Sequence, residues 1–134
     1  MILSRLFVGL FSGLLLTSCA ASTIADLKNK PSGVYEFTVN ENYQRVYEKI
    51  SEQGRRCWET MTIALDTDLY SELGEAKVTW RVKGIASASS YYAMAEINKI
   101  SSILTKVKVY YYFSTWGNLG HVVEKWTNDY KECS

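Results

Sequence analysis

From residue 34 onward, the apolar positions of the chain repeat with two alternating periods. In Val34–Val39 (VYEFTV), Tyr35, Phe37 and Val39 alternate with Glu36 and Thr38, which predicts a strand with one buried face. Asn40 is then placed to cap a helix. Tyr43, Val46, Tyr47, Ile50, Gly54, Cys57 and Trp58 recur at three- and four-residue spacing, the stripe of an amphipathic helix over about Glu41–Trp58. Glu48, Lys49, Glu52 and Arg56 take its solvated side.

Four more strands are predicted next. Met61, Ile63, Leu65 and Leu69 alternate with polar residues and run into turn formers over Ser71–Glu75. Ala76, Val78, Trp80 and Val82 alternate with Lys77, Thr79, Arg81 and Lys83, and Gly84–Ser90 is loop-like. Tyr91–Ile97 and Ile103–Phe113 follow, the latter with Val107, Val109, Tyr111 and Phe113 on one side. Interruptions this short suit an antiparallel meander, because parallel strands need long crossovers. A second helix closes the chain, with Leu119, Val122, Val123, Trp126 and Tyr130 on one stripe and Cys133 three residues beyond. The order β-α-β-β-β-β-α predicts an α+β two-layer sandwich, an antiparallel sheet with two helices on one face. Whether the first strand pairs with the second or the last is left open.

The 134 residues suit one domain, and 47% hydrophobic residues with 22% charged place the chain among globular proteins. Residues 1–18 fall outside that domain. Arg5 supplies a positive start, and Leu6–Leu16 (LFVGLFSGLLL) is an uncharged apolar run. It is shorter than the about 20 residues a spanning helix needs, and reads as an export signal. Ala20–Gly33 is polar, aperiodic and holds the only proline. Residues 19–33 are therefore expected to form a flexible tether that begins at Cys19, able to lift a domain over 34–134 by about 40 Å.

The export signal ends Leu16-Thr17-Ser18-Cys19, which resembles the lipobox of bacterial lipoproteins. The resemblance implies acylation of Cys19, cleavage before it, and attachment to the membrane through the lipid (palmitate among its acyl chains). Ala20, where an aspartate would imply inner-membrane retention, implies the outer membrane, with the domain facing the periplasm. The element order resembles helix-grip and related small domains of envelope lipoproteins, and the stretch around Tyr43–Cys57 (NYQRVYEKISEQGRRC) is similar to small Gram-negative lipoproteins without an assigned activity. That resemblance implies no site residues and no cofactor.

Charge and cysteine content narrow the partners. Fifteen Lys+Arg stand against fourteen Asp+Glu, and loss of Arg5 with the signal balances them, which argues against a nucleic-acid binder. Cys57 and Cys133 are an even pair in an exported domain, where a disulfide is favoured over free thiols. Closing so long a loop contributes on the order of 4 kcal/mol in the chain-entropy model. Two cysteines do not make a zinc site, which takes three or four protein ligands.

Catalytic signals are thin. His121 lies off the apolar stripe of the last helix, and no serine sits in a nucleophile elbow. Asp66, Asp68, Glu72 and Glu75 read as a polar strand end and turn; Ser71 stands where a calcium loop needs glycine. The chain is accordingly read as non-enzymatic, with no metal. If the helices cover the face of Val78, Trp80, Val82, Val107 and Val109, the other face carries Lys77, Arg81, Lys83, Lys106 and Lys108 with Tyr110 and Tyr112, and Tyr92, Met94 and Glu96 between them. This face is either a plain solvated surface or a contact for an anionic envelope component or an envelope protein. Trp116, ahead of the last helix, is a further contact candidate. An alternative is a small-ligand pocket between sheet and last helix, lined by Tyr91, Tyr111 and Trp126.

Overall fold

The computed structural model describes residues 23–83 and 90–134. The export signal, Cys19 and most of the Gly84–Ser90 loop lie outside the described residues. The architecture is α+β, a five-stranded antiparallel sheet packed against two helices. Its elements are α1 (Ile24–Asn29), β1 (Gly33–Val39), α2 (Tyr43–Trp58), β2 (Ile63–Tyr70), β3 (Glu75–Val82), β4 (Tyr91–Ser101), β5 (Leu104–Tyr111), a 3-10 turn (Ser114–Trp116) and α3 (Leu119–Thr127). The sheet order is β1-β5-β4-β3-β2, all neighbours antiparallel. The first strand thus pairs with the last, Phe37 opposite Val107.

Both helices pack on one face, as the pattern predicts. Val46 and Ile50 of α2, Val122, Val123 and Trp126 of α3, and Val78, Trp80, Ile97, Val107 and Val109 of the sheet form one buried cluster. Asn42 rather than Asn40 caps α2, its side chain accepting from the Gln44 amide at 2.9 Å. The α3 backbone comes close to β1 at Gly120, where a Cβ would overlap that of Tyr35. Gly74 holds the β2–β3 turn at φ 64°, a left-handed position suited to glycine.

The element missing from the sequence pattern is α1. Residues 24–29, expected within a tether, form a helix that lies on the opposite face of the sheet. Thr23 caps it, accepting from the Asp26 amide at 3.0 Å. Leu27 is wholly buried with Met94 and Tyr110, and Ile24, Tyr91 and Tyr112 pack around them. A six-residue helix is not stable alone; burial of its apolar side holds it.

The disulfide Cys57–Cys133 is present, with Cα atoms 5.2 Å apart. The bridge does not join two neighbouring helix ends. Asn42 at the start of α2 reaches the Ser102 carbonyl of the β4–β5 turn, whereas Trp58 at its end packs on Trp116 just before α3. The two helices therefore run in opposite directions. The tail after Thr127 turns back along them, through Asp129 at φ 67°, to bring Cys133 to Cys57. The Trp126 indole N–H donates to the Glu132 carbonyl at 2.8 Å and fastens this return.

Candidate functional site

The predicted contact face is neither open nor basic. Lys77, Arg81, Lys106 and Lys108 do share it, but sheet order interleaves them with carboxylates. Lys108 stands in register between Glu36 of β1 and Glu96 of β4, and Lys77 between Asp68 of β2 and Glu96. Arg81 pairs with Asp66 at 2.5 Å and Lys106 with Glu36 at 2.8 Å. The hydrogen bond from Lys106 holds the Glu36 carboxyl below the usual carboxylate range. Lys83 lies past the end of β3, and its amide donates to the Thr62 carbonyl. The bases stand out in sequence because they cluster on β3 and β5, but the acids that offset them come from β1, β2 and β4.

The middle of that face is covered by α1. Lys28 reaches Glu96 at 2.7 Å and sits 5.8 Å from the Tyr110 ring. Tyr110 is 8% exposed and unavailable as a contact residue. Burial pushes its hydroxyl pKa up. Glu96 is pushed up by its own burial, yet the Lys28 hydrogen bond and charge outweigh this and hold it low. Lys28 is raised in turn, chiefly by its hydrogen bond to Glu96.

Tyr91, Tyr111 and Trp126 are not brought together as a pocket. The register slips between Trp80 and Arg81, so Arg81 faces Tyr91 and Trp80 faces Ala93. This bulge puts Tyr91 on the α1 face, beside Met94, and frees Tyr92 from the alternation expected of it. Tyr111 and Trp126 stay with the α2/α3 core, where Trp126 is 1% exposed.

Tyr92 instead joins a run of half-buried rings at one end of the sheet. Trp58 and Trp116 lie 5.0 Å apart, Trp116 stacks on Tyr92 at 5.1 Å and 11°, and Tyr92 continues to Phe113 at 5.9 Å. Phe113 meets Tyr112 edge-on at 5.2 Å. Tyr112 also borders the cluster under α1, so the ring run and the docked helix are continuous. Trp116 is thus a member of a surface, which single-residue inspection of the sequence could not show.

The other end of the sheet carries the two hairpin turns. The Lys99 amide donates to the Gly74 carbonyl at 2.8 Å, which places the turns side by side. The Tyr43 hydroxyl donates to the Ser71 carbonyl at 3.3 Å, and α2 therefore braces both turns from beneath. Leu69, Tyr70, Leu73, Ile100 and Ile103, five of the eight large apolar side chains exposed among the described residues, gather here. Leu73 is 69% and Ile103 73% exposed. Sequence alternation could not find this patch, because Leu73 and Ile103 lie in turns that belong to no face and Leu69, Tyr70 and Ile100 stand at strand ends brought together only by the paired hairpins.

Among the described residues, no three His, Cys, Asp or Glu side chains are grouped to hold a metal ion. His121 is exposed, its ring 4.3 Å from that of Tyr35. No helix of the described residues is long and apolar enough to cross a membrane. No protein-family model and no curated protein matches the chain.

Proposed function

We propose that the chain is an outer-membrane lipoprotein, acylated on Cys19 and facing the periplasm, whose domain is a non-enzymatic module that binds another envelope protein through the hairpin end. The observation that carries this reading is the polarity of the domain. Cys19 precedes the docked α1 by a few residues, and α1 packs on the Tyr91–Glu96 half of β4, away from the hairpins. The exposed apolar side chains therefore project from the end farther from the anchor. Clustered exposed apolar groups mark interaction sites in proteins of this size. Glu72 and Lys99, of opposite sign, flank them, which suits a protein surface better than an anionic headgroup or polysaccharide. The five basic residues lend little support to an anionic component, since carboxylates adjoin four of them.

The test places a photo-activatable side chain at Leu73 or Ile103 in cells, with Glu52 on the solvated side of α2 as the control. A discrete protein adduct from both hairpin positions and none from Glu52 is expected. No adduct, or the same adducts from all three, overturns the binding reading. The mass of the N-terminal peptide tests the anchor: an unacylated Cys19 overturns it.

A further inference from the structure

We infer that the ring run Trp58–Trp116–Tyr92–Phe113–Tyr112 is a second membrane contact, which seats the domain on the lipid interface with the hairpins outward. The inference rests on acylation of Cys19 proposed above. Three observations lead to it. The first is reach: only three residues separate Cys19 from Thr23, the cap of a helix fixed to the sheet, so four chain steps keep the lipid within about 14 Å of that cap. The second is continuity, because Tyr112 belongs both to the packing around α1 and to the ring run. A surface joined to the anchored helix is the one a short leash brings to the bilayer.

The third is composition. Two tryptophans and two tyrosines, all half-buried, offer flat apolar bodies with polar edges, the side chains that favour the headgroup boundary. Met61, 92% exposed beside the Thr62–Lys83 backbone link, adds a bare apolar side chain at the same end. The hairpin end lacks this combination and lies a strand length away, about 25 Å from eight residues of β3.

The full-length protein purified from envelopes is reconstituted into phosphatidylethanolamine–phosphatidylglycerol vesicles with or without brominated acyl chains, which quench tryptophan on contact. Trp80 and Trp126 are buried in the core, so quenching reports Trp58 and Trp116. Bromines near the headgroups are expected to remove a third or more of the emission. Bromines near the bilayer centre should act several-fold less, and W58F/W116F should abolish most of the effect. Acylated protein whose emission is the same in brominated and plain vesicles overturns the seating and leaves the anchor standing. Equal quenching of W58F/W116F also overturns the seating. An N-terminal peptide of unacylated mass overturns both. The depth comparison uses the unaltered chain and holds even where the double variant does not fold.

Discussion

Lys28 and Glu96, 68 positions apart in sequence, meet at 2.7 Å and clip α1 to the centre of the sheet. The pair is asymmetric: Lys28 is 38% exposed and Glu96 14%. Burial alone would raise the Glu96 pKa; Lys28 is the largest influence bringing it below the usual value, helped by the Asn98 hydrogen bond and the Lys77 charge. A carboxyl lowered on folding stabilises above its unfolded pKa, near 4.3, and loses that contribution as pH falls through the folded value. Lys28, raised on folding, contributes below its ordinary value of 10.5 and loses this as pH rises through the folded one. Docking of α1 is therefore strongest around neutrality. In Lys28→Met the Glu96 carboxyl should titrate at higher pH than in the parent, followed by its carbon resonance; an unchanged midpoint counts against the clip.

Leu27→Ala tests the docking from the apolar side. Removing a fully buried leucine typically costs 2–5 kcal/mol, more than a six-residue helix can spare. The expected result is local release. Trypsin should cut after Lys28 many-fold faster (Pro31 protects the bond after Lys30), while the melting temperature of the remaining domain falls by only a few degrees. Unchanged cleavage would mean that other contacts hold α1.

At Gly120 helix propensity and packing predict opposite signs. Alanine in a helix interior gains about 1 kcal/mol over glycine. Here the added methyl would overlap Tyr35 and push α3 from β1, at a cost of about 1–3 kcal/mol. Gly120→Ala should lower the melting temperature by several degrees, read by circular dichroism. A stabilised variant would show that α3 can shift freely.

Reduction of Cys57–Cys133 acts on more than one bond. The Trp58 indole donates to the Cys133 carbonyl at 3.3 Å, and Trp126 holds Glu132. Release of the tail should cost about 2–5 kcal/mol in denaturant titrations and alter the near-ultraviolet signal of both indoles. Loss of stability without that spectral change would confine the effect to the unfolded chain.

The sheet, α2 and α3 were legible because their alternation and stripes run over many residues. Trp80 and Val109 could be assigned to the helix-covered face from spacing alone. α1 was not, since Ile24 and Leu27 are two apolar residues in a polar stretch, and only the sheet beneath gives them a partner. The bulge at Trp80–Arg81 shifted the face of Tyr91 without a glycine to announce it. The charge of the contact face failed for a different reason: it depends on which strands are neighbours, and Glu36 becomes relevant only because β1 lies beside β5.

A docked α1 also changes how the domain explores its surroundings. If Cys19 carries the lipid proposed above, a free leash to Gly33 of fourteen steps would let the domain sweep a hemisphere of about 48 Å radius, and one of four steps to Thr23 about 14 Å. The swept volume would then fall about fortyfold, and the local concentration of the domain at the bilayer would rise by the same factor. Encounters with partners standing well off the membrane become rarer, and encounters with neighbours in the same leaflet become frequent. On the proposed anchoring, the six residues of α1 would thereby select for partners that share the membrane.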